Sequence, residues 1–208
     1  MFHLETYEIN DHIVTFDDTT HTYTVDQKPV ISVTQLIDMF YPKPYKNVDL
    51  EILKKAAKRG NQLHDMIEQY ERFNKKTYHI EMHGYLALKT QHQFRVKESE
   101  KIVLIYHDGI VIAAGRFDMV IESPYIKGLG IADVKRMAHL DETRLILQLN
   151  LYKLGYEQTY KTRINYLKCI HIRNRYYNFI DIPINKKPID KLIQQYLEKH
   201  PIDYTHYY

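Results

Sequence analysis

The segment from Gly115 to Lys135 constrains the fold of this chain more than any other. It reads G-R-F-D-M-V-I-E-S-P-Y-I-K-G-L-G-I-A-D-V-K, two apolar runs separated by a turn with Gly and Pro. Runs of this kind on either side of a turn predict two strands. Alternate side chains of a strand share a face, so Asp133 and Lys135 point the same way and Val134 points into the core. If the strands pair, Asp118 comes close to them, and two carboxylates beside a lysine suit a hard divalent cation and an activated water.

The rest of the chain predicts a mixed α/β domain around that segment. Apolar spacings of three and four residues predict helices, and apolar runs bounded by turns predict strands. In chain order the expected core is two helices, three strands, a helix, two strands and a helix: 48–73, 84–94, 101–106, 110–121, 130–135, 142–160, 164–172, 177–182 and a helix bracketed by Pro188 and Pro201. We expect a single domain, 1–208, with its core at 48–185 and a C-terminal helix and tail at 186–208.

Residues 1–47 predict a β-hairpin followed by a short helix, as an extension of this core. Short β-like pieces alternate with polar turns over residues 12–33. Ser32-Val-Thr-Gln35 has the form of a capping box and opens a helix to about Phe40, which Pro42 and Pro44 end.

Composition excludes several classes of site. Hydrophobic residues make up 44% and charged residues 26% of the chain, which is ordinary for a globular protein. The net charge of +3 is compatible with a polyanionic partner but is weak evidence for one. The single cysteine, Cys169, lies in an apolar run and predicts a buried thiol, without a disulfide or a four-cysteine metal or iron–sulfur site. No signal peptide and no apolar run of about 18 residues is present. We therefore expect no membrane association and a cytoplasmic location.

The long predicted helix carries three features of interest. His64 and Glu68 lie one turn apart and share a face. Gly60 costs about 1 kcal/mol relative to alanine in a helix interior, so it predicts a break or a close backbone approach. A basic run precedes them and suits either a solvated helix face or contact with phosphates: Lys54, Lys55, Lys58 and Arg59.

Two other groups stand out further along the chain. Gln148 and Tyr152 form an i, i+4 pair on the helix after Asp133-Val-Lys135, where the glutamine needs a partner on an otherwise apolar side. The turn from Arg173 to Tyr177 is basic and aromatic, and suits either stacking on single-stranded bases or an ordinary exposed hairpin tip.

Four motifs in this order resemble the RecB-like branch of the PD-(D/E)XK nucleases, which includes nuclease domains of bacterial recombination helicase–nucleases, CRISPR-associated exonucleases and many phage exonucleases. They are R-G-x-x-x-H, G-x-x-D, D-x-K and Q-x-x-x-Y, on the expected helix, strand, strand and helix. The resemblance spans about Arg59 to Tyr152, roughly half of the chain. It implies an α/β restriction-endonuclease-like core, with a mixed central β-sheet flanked by helices, behind the N-terminal β-hairpin/helix extension.

The resemblance also implies a metal site and a catalytic set. Asp118 and Asp133 would bind Mg²⁺ or Mn²⁺, with His64 and the backbone carbonyl of Val134 completing the metal shell. Lys135 would orient or activate the attacking water and stabilise the developing charge. Phosphodiester hydrolysis needs a nucleophile at neutral pH and neutralisation of negative charge, and a carboxylate-bound divalent ion supplies both.

By the same resemblance, Gln148 and Tyr152 would support the site and contact the DNA backbone, with Arg59 beside them. From its position one turn after His64, we add Glu68 as a water-mediated metal ligand. Phe117 stands where the family name has proline. The four cysteines that hold an iron–sulfur cluster in some relatives are absent, as is a G-x-x-x-x-G-K-[ST] motif, so we expect neither a cluster nor ATP.

Together these features predict a divalent-metal-dependent DNA nuclease, an exonuclease acting at DNA ends in phage or bacterial recombination, repair or defence. A non-catalytic nucleic-acid-binding or partner-inhibiting protein on the same fold stays open, as does an endonuclease. So do a recombination partner protein and a ring-shaped homo-oligomer. The motifs leave open the polarity of cleavage, the choice of single or double strands, and the choice of DNA or RNA. Taken singly, each motif residue also has an ordinary structural explanation.

Overall fold

The computed structural model describes residues 4–42 and 48–202. Pro44 and residues 203–208 of the predicted tail lie outside the described residues. The described elements, in chain order, are β1 Leu4–Ile9, β2 His12–Asp17, β3 Thr22–Val25, β4 Lys28–Val30, α1 Val33–Phe40, α2 Leu50–Phe73, α3 Ile80–His92, β5 Arg95–His107, β6 Ile110–Ser123, β7 Ile126–Lys135, α4 Glu142–Tyr160, β8 Ile164–Arg173, β9 Tyr176–Ile182 and α5 Lys186–Lys199. No helix among these residues combines the length and apolar character needed to cross a membrane.

A five-stranded sheet in the order β5-β6-β7-β8-β9 forms the centre of the fold. Only the β7–β8 pair is parallel, because α4 crosses over between these strands whereas tight turns join the antiparallel pairs. The sheet is mixed and flanked by helices, so the predicted α/β fold class is confirmed. The predicted strand order along the chain is also confirmed, with each strand extending one to six residues beyond the predicted bounds.

Helices cover both faces of this sheet. Residues of α1, α4 and α5 share one buried cluster with one face of the strands, including Ile131 and Cys169. Residues of α2 and α3 share a second cluster with the other face, including Val134 and Ile170. The alternation along β7 therefore turns Val134 into the α2–α3 side and gives Asp133 and Lys135 a common face, as predicted. Cys169 is a buried free thiol, also as predicted.

The strands β6 and β7 pair over part of their length and then separate. Their paired residues run from Ser123↔Ile126 to Met119↔Ala132. The pairing stops there, although β6 begins at Ile110 and β7 continues to Lys135. Just past the last pair, the Val134 N–H donates to Asp118 Oδ2 at 2.5 Å instead of to a backbone carbonyl of β6. The candidate site opens at this separation.

The N-terminal segment is larger than the predicted hairpin. It is a four-stranded antiparallel meander, β1-β2-β3-β4, and its apolar side packs on Ile102, Leu104 and Ala114 of the central sheet. The strand β1 was not predicted. Its side chains stay largely accessible and only Ile9 of this strand is buried, so its sequence shows a weak apolar alternation. The segment is therefore packed against the core rather than simply preceding it.

Local signals explain α1 and the start of α3. Ser32 and Gln35 form the predicted capping box, and the helix ends at Phe40 as predicted. The predicted bounds of α3, 84–94, are wrong: His79 Nδ1 accepts the Glu81 N–H at 3.3 Å, which starts the helix at Ile80.

The expectation at Gly60 is also wrong. The helix α2 runs through it without a break, and a Cβ placed there would meet no atom within 4 Å. Gly60 lies in the part of α2 that projects away from the core, because the first buried residue of this helix is Leu63.

Candidate functional site

A cleft of about 930 Å³ lies over the point where β6 and β7 separate. The N-terminal sheet, the start of α1, the middle of α2 and the strands β5 and β6 form its walls. The residues at its centre come from five different elements and are His64, Glu100, Asp118, Lys135 and Tyr152. The described residues thus bring together side chains from the four sequence motifs, and they add one that no motif contains.

His64 and Asp118 form the first contact in the cleft. His64 Nδ1 lies 3.2 Å from Asp118 Oδ1, while the second oxygen of Asp118 accepts the Val134 N–H. His64 belongs to the middle of α2, one residue after the buried Leu63, so its ring is aimed at the sheet rather than at solvent. One ligand atom each from His64, Glu100 and Asp118 lies within 4.8 Å of the other two, a spacing that can hold a metal ion.

Glu100 is the residue that sequence reasoning missed. It sits in β5 between the register pairs Ser99↔Met119 and Lys101↔Phe117, opposite Asp118. If the pairing of β5 and β6 continued without a shift from the turn that joins them, Glu100 would lie opposite Phe117 instead. A register shift between Ile105 and Tyr106 displaces the pairing by one residue and puts Glu100 at the site. A β-bulge leaves little trace in sequence, so no motif could have indicated this.

Asp133 and Lys135 form the second contact. Asp133 is 3% exposed, and Lys135 Nζ lies 2.5 Å from its Oδ2. This is an ion-pair distance without hydrogen-bond orientation, so that buried oxygen has no hydrogen-bond partner among the described residues. The Lys135 ammonium is nevertheless the charged partner of this buried oxygen and neutralises the Asp133 carboxylate.

The charges in the cleft shift one another's pKa values. Burial opposes the charged imidazolium, but the Asp118 carboxylate outweighs it and raises the pKa of His64 to about 9. Burial, followed by the charge of Asp118, raises the pKa of Glu100 to about 8. Burial also raises the pKa of Asp133, against the pull of Lys135. For Asp118, burial acts upward but His64 and Lys135 hold its pKa below the ordinary value.

Lys135 keeps its proton in this setting. Burial acts to lower its pKa, but the carboxylates of Asp133 and Asp118 raise it above the ordinary lysine value. The side chain is therefore an ammonium at neutral pH and can donate hydrogen bonds, not accept a proton.

Gln148 and Tyr152 contact each other on α4, as their spacing indicates. Gln148 Nε2 donates to the Tyr152 hydroxyl at 3.1 Å, so the glutamine has the partner it needed. The Tyr152 ring is 4% exposed, lines the cleft and lies 5.7 Å from the Phe117 ring. Tyr152 therefore forms part of the wall that Lys135 also lines, and Gln148 holds the Tyr152 hydroxyl.

The two remaining predicted residues differ in their distance from the acidic centre. Glu68 lies beside His64, Glu100 and Asp118, and its charge contributes to the raised pKa of Glu100. Its own carboxylate pairs with Arg72 Nη1 at 2.5 Å and is not part of the group of possible ligands. Arg59 is exposed on the projecting part of α2 and is not among the residues that line the cleft. Val134 contributes its N–H to Asp118 and buries its side chain.

Comparison with solved structures yields matches, whereas comparison of sequences does not. No protein-family model matches the chain, and no curated protein matches it. The crystal structure of SSO0001 is similar over 82% of this chain and 76% of that chain, with a TM-score of 0.47 and 18% sequence identity.

The arrangement can bind a hard cation and hold an ammonium beside it. Carboxylate oxygens and one imidazole suit Mg²⁺ or Mn²⁺ better than soft metals, since the single thiol, Cys169, is buried in the core. The same cleft places Lys135 and the Tyr152 hydroxyl near the carboxylates, where both can donate to an anionic substrate.

Proposed function

We propose that this protein is a divalent-metal-dependent DNA nuclease, and that it acts as an exonuclease at DNA ends. The observation that carries the proposal is the meeting of His64, Asp118 and Lys135 in one cleft, at the point where two strands separate, with Asp133 buried behind Lys135. The residues come from distant parts of the chain, so their meeting does not follow from sequence spacing. The proposal also rests on the four motifs that resemble the RecB-like PD-(D/E)XK nucleases.

The residues of the cleft fit Mg²⁺ or Mn²⁺. His64, Glu100 and Asp118 offer donor atoms at compatible separations, whereas Asp133 Oδ2 lies 2.5 Å from the Lys135 ammonium. When bound, such an ion would acidify a water molecule and neutralise charge on the phosphate.

Each side chain around it then has a distinct task. Lys135, held as an ammonium, donates to a non-bridging phosphate oxygen or to the attacking water, which it orients. Asp133 fixes the Lys135 ammonium by charge. Asp118 fixes His64 and is itself fixed by the Val134 N–H. Tyr152, which Gln148 holds, presents its hydroxyl to the substrate.

The test is digestion of end-labelled linear DNA and covalently closed circular DNA with Mg²⁺, with Mn²⁺ and with EDTA. We expect release of mononucleotides from linear DNA alone, and only with a divalent ion. Lys135→Ala should lose at least about 100-fold in rate. Lys127→Ala is the matched control, because this exposed lysine lies at the opposite end of the same strand.

Four outcomes would count against the proposal. Degradation that continues in EDTA would exclude the metal mechanism. Full activity of Asp118→Ala would exclude the site. Binding of DNA without cleavage under any divalent ion would favour a non-catalytic binding protein instead, and cleavage of closed circles would indicate an endonuclease.

A further inference from the structure

The face of the central sheet that carries Asp133 and Lys135 continues onto β8 and β9. In the parallel β7–β8 register, Asp133 pairs with Cys169 and Lys135 with His171, and paired residues share a face. Arg173 lies two residues beyond His171 on the same face, and its partner across the β8–β9 hairpin is Tyr176. From strand geometry, Arg173 lies only about 8 Å from Lys135 between Cα atoms.

Charge changes sign along this face. Carboxylates lie on β5, β6 and β7, whereas the end of β8 and the turn after it carry Arg173 and Arg175. Both arginines are exposed, and neither forms an ion pair with any residue in 4–42 or 48–202. The Tyr176 ring beside them is 54% exposed. We call Arg173, Arg175 and Tyr176 the hairpin tip.

The hairpin tip is held rigidly relative to Lys135. Glu81, in the first turn of α3, is 2% exposed. One of its oxygens accepts the backbone N–H of Asn174, which lies between Arg173 and Arg175, at 2.7 Å. The other accepts from Arg136 Nε at 3.0 Å, and Arg136 directly follows Lys135. The buried Glu81 carboxylate therefore connects the turn after β8 to the residue that follows Lys135.

Packing supports the same conclusion on the other face of the hairpin. Tyr177 lies so close to α3 that a Cβ on Gly84 would be 3.0 Å from its Cδ1. On the sheet face that carries Lys135, the Tyr176 ring packs edge-on against the His171 ring at 5.1 Å between centroids. His171 Nε2 in turn donates to the Met137 carbonyl at 2.8 Å.

We infer that the hairpin tip binds single-stranded DNA and leads its backbone to Lys135, an inference that rests on the proposed nuclease function. Arg173 and Arg175 attract phosphates. Tyr176 offers a fixed ring on which an unpaired base can stack, and such stacking is tolerant of sequence. A base in a duplex has both faces covered by its neighbours, so the ring favours single strands.

Binding can be measured separately from cleavage. The probe is a fluorescein-labelled oligothymidylate of roughly 16 nucleotides, titrated by anisotropy in EDTA at low salt, next to a hairpin duplex of similar charge. Arg173→Ala with Tyr176→Ala should weaken binding of the single strand by roughly tenfold or more. Tyr176→Phe keeps the ring and should bind as the unsubstituted protein does, which separates stacking from loss of the fold.

Tyr125→Ala with Lys127→Ala is the matched control, because it removes an exposed aromatic and basic pair from the turn at the far end of β7. Equal single-strand binding by the tip variant and this control would overturn the inference, as would an equal loss for the duplex. Absence of single-strand binding by the unsubstituted protein would overturn it as well. Failure of the nuclease proposal has a different signature: single-strand binding that depends on the tip, without cleavage in Mg²⁺ or Mn²⁺.

Discussion

At the scale of single residues, Glu100 illustrates how backbone geometry builds the site. Its φ of 52° lies in the left-handed region, which is unfavourable for a residue with a Cβ. Arg116 Nε contacts its carboxylate at 3.0 Å and holds it near Asp118. Glu100 thus holds a positive φ opposite a second carboxylate, Asp118, and backbone strain of this kind concentrates at functional sites.

We predict that Glu100→Gln weakens Mn²⁺ binding and nuclease activity at least about tenfold, because the amide keeps the shape but removes the negative charge. Isothermal titration with Mn²⁺ and a DNA digestion assay measure the two effects. Glu122→Gln is the control, since Glu122 is exposed on β6 and pairs with Lys97. Unchanged affinity in Glu100→Gln would remove this residue from the site.

The same cleft predicts how stability depends on pH when no metal is bound. The pKa of His64 is raised from 6.5 to about 9, and that of Glu100 from 4.5 to about 8, so the folded chain retains protons that the unfolded chain releases. The contribution of His64 is complete below pH 6.5 and is lost as the pH rises through about 9. That of Glu100 is complete below pH 4.5 and is lost through about 8. In EDTA we therefore expect the Tm to fall with rising pH across this range, and to fall less in His64→Gln. An identical pH dependence of the two proteins would contradict the contact with Asp118.

At the scale of elements, Gly115 of the G-x-x-D motif is where α1 and α4 both meet β6. A Cβ at this position would lie 2.8 Å from Tyr152 Cε1 and 2.9 Å from Val33 Cγ2. Gly115→Ala should therefore destabilise the fold by about 1–3 kcal/mol and displace Tyr152. Gly60→Ala is the opposite case, because no atom lies within 4 Å and α2 continues through it, so we expect a gain of up to about 1 kcal/mol. Urea denaturation of both variants checks the two signs, and a loss at Gly60 would show a role that its open surroundings do not explain.

The elements that could be predicted are those with a local signal. Asp141 caps α4, and the helix runs to Tyr160 as predicted. Tyr152 and Lys135 line the cleft, and Gln148 and Asp133 contact them because each spacing matches the period of its helix or strand. Glu100 could not be found in this way, since its place depends on a bulge in the β5–β6 ladder. The role of each cleft residue in catalysis stays a prediction.

At the scale of the whole molecule, the position of the N-terminal sheet was the least predictable feature. A hairpin signal is local, but the docking of β1–β4 depends on contacts about a hundred residues apart in the chain. Arg116 lies at that junction. Its guanidinium contacts Asp18 Oδ1 and Glu100 Oε2 at 3.0 Å and Glu5 Oε2 at 3.5 Å, and lies 4.4 Å from the Phe16 ring. One side chain thus joins the N-terminal sheet to a carboxylate of the candidate metal site.

We predict that Arg116→Gln loosens the N-terminal sheet and costs about 2 kcal/mol, less than a fully buried pair because the side chain is 21% exposed. Hydrogen exchange should quicken in β1–β4 while β7 and β8 keep their protection, since the central sheet has its own two clusters. Lys97→Gln, which breaks an exposed pair with Glu122, should change neither. Faster exchange through the whole chain would mean that the two sheets unfold as one unit. Exchange at the unsubstituted rate would mean that apolar packing on Ile102 and Leu104 holds the N-terminal sheet without Arg116. The structural role of Arg116 would then be to position the Glu100 carboxylate.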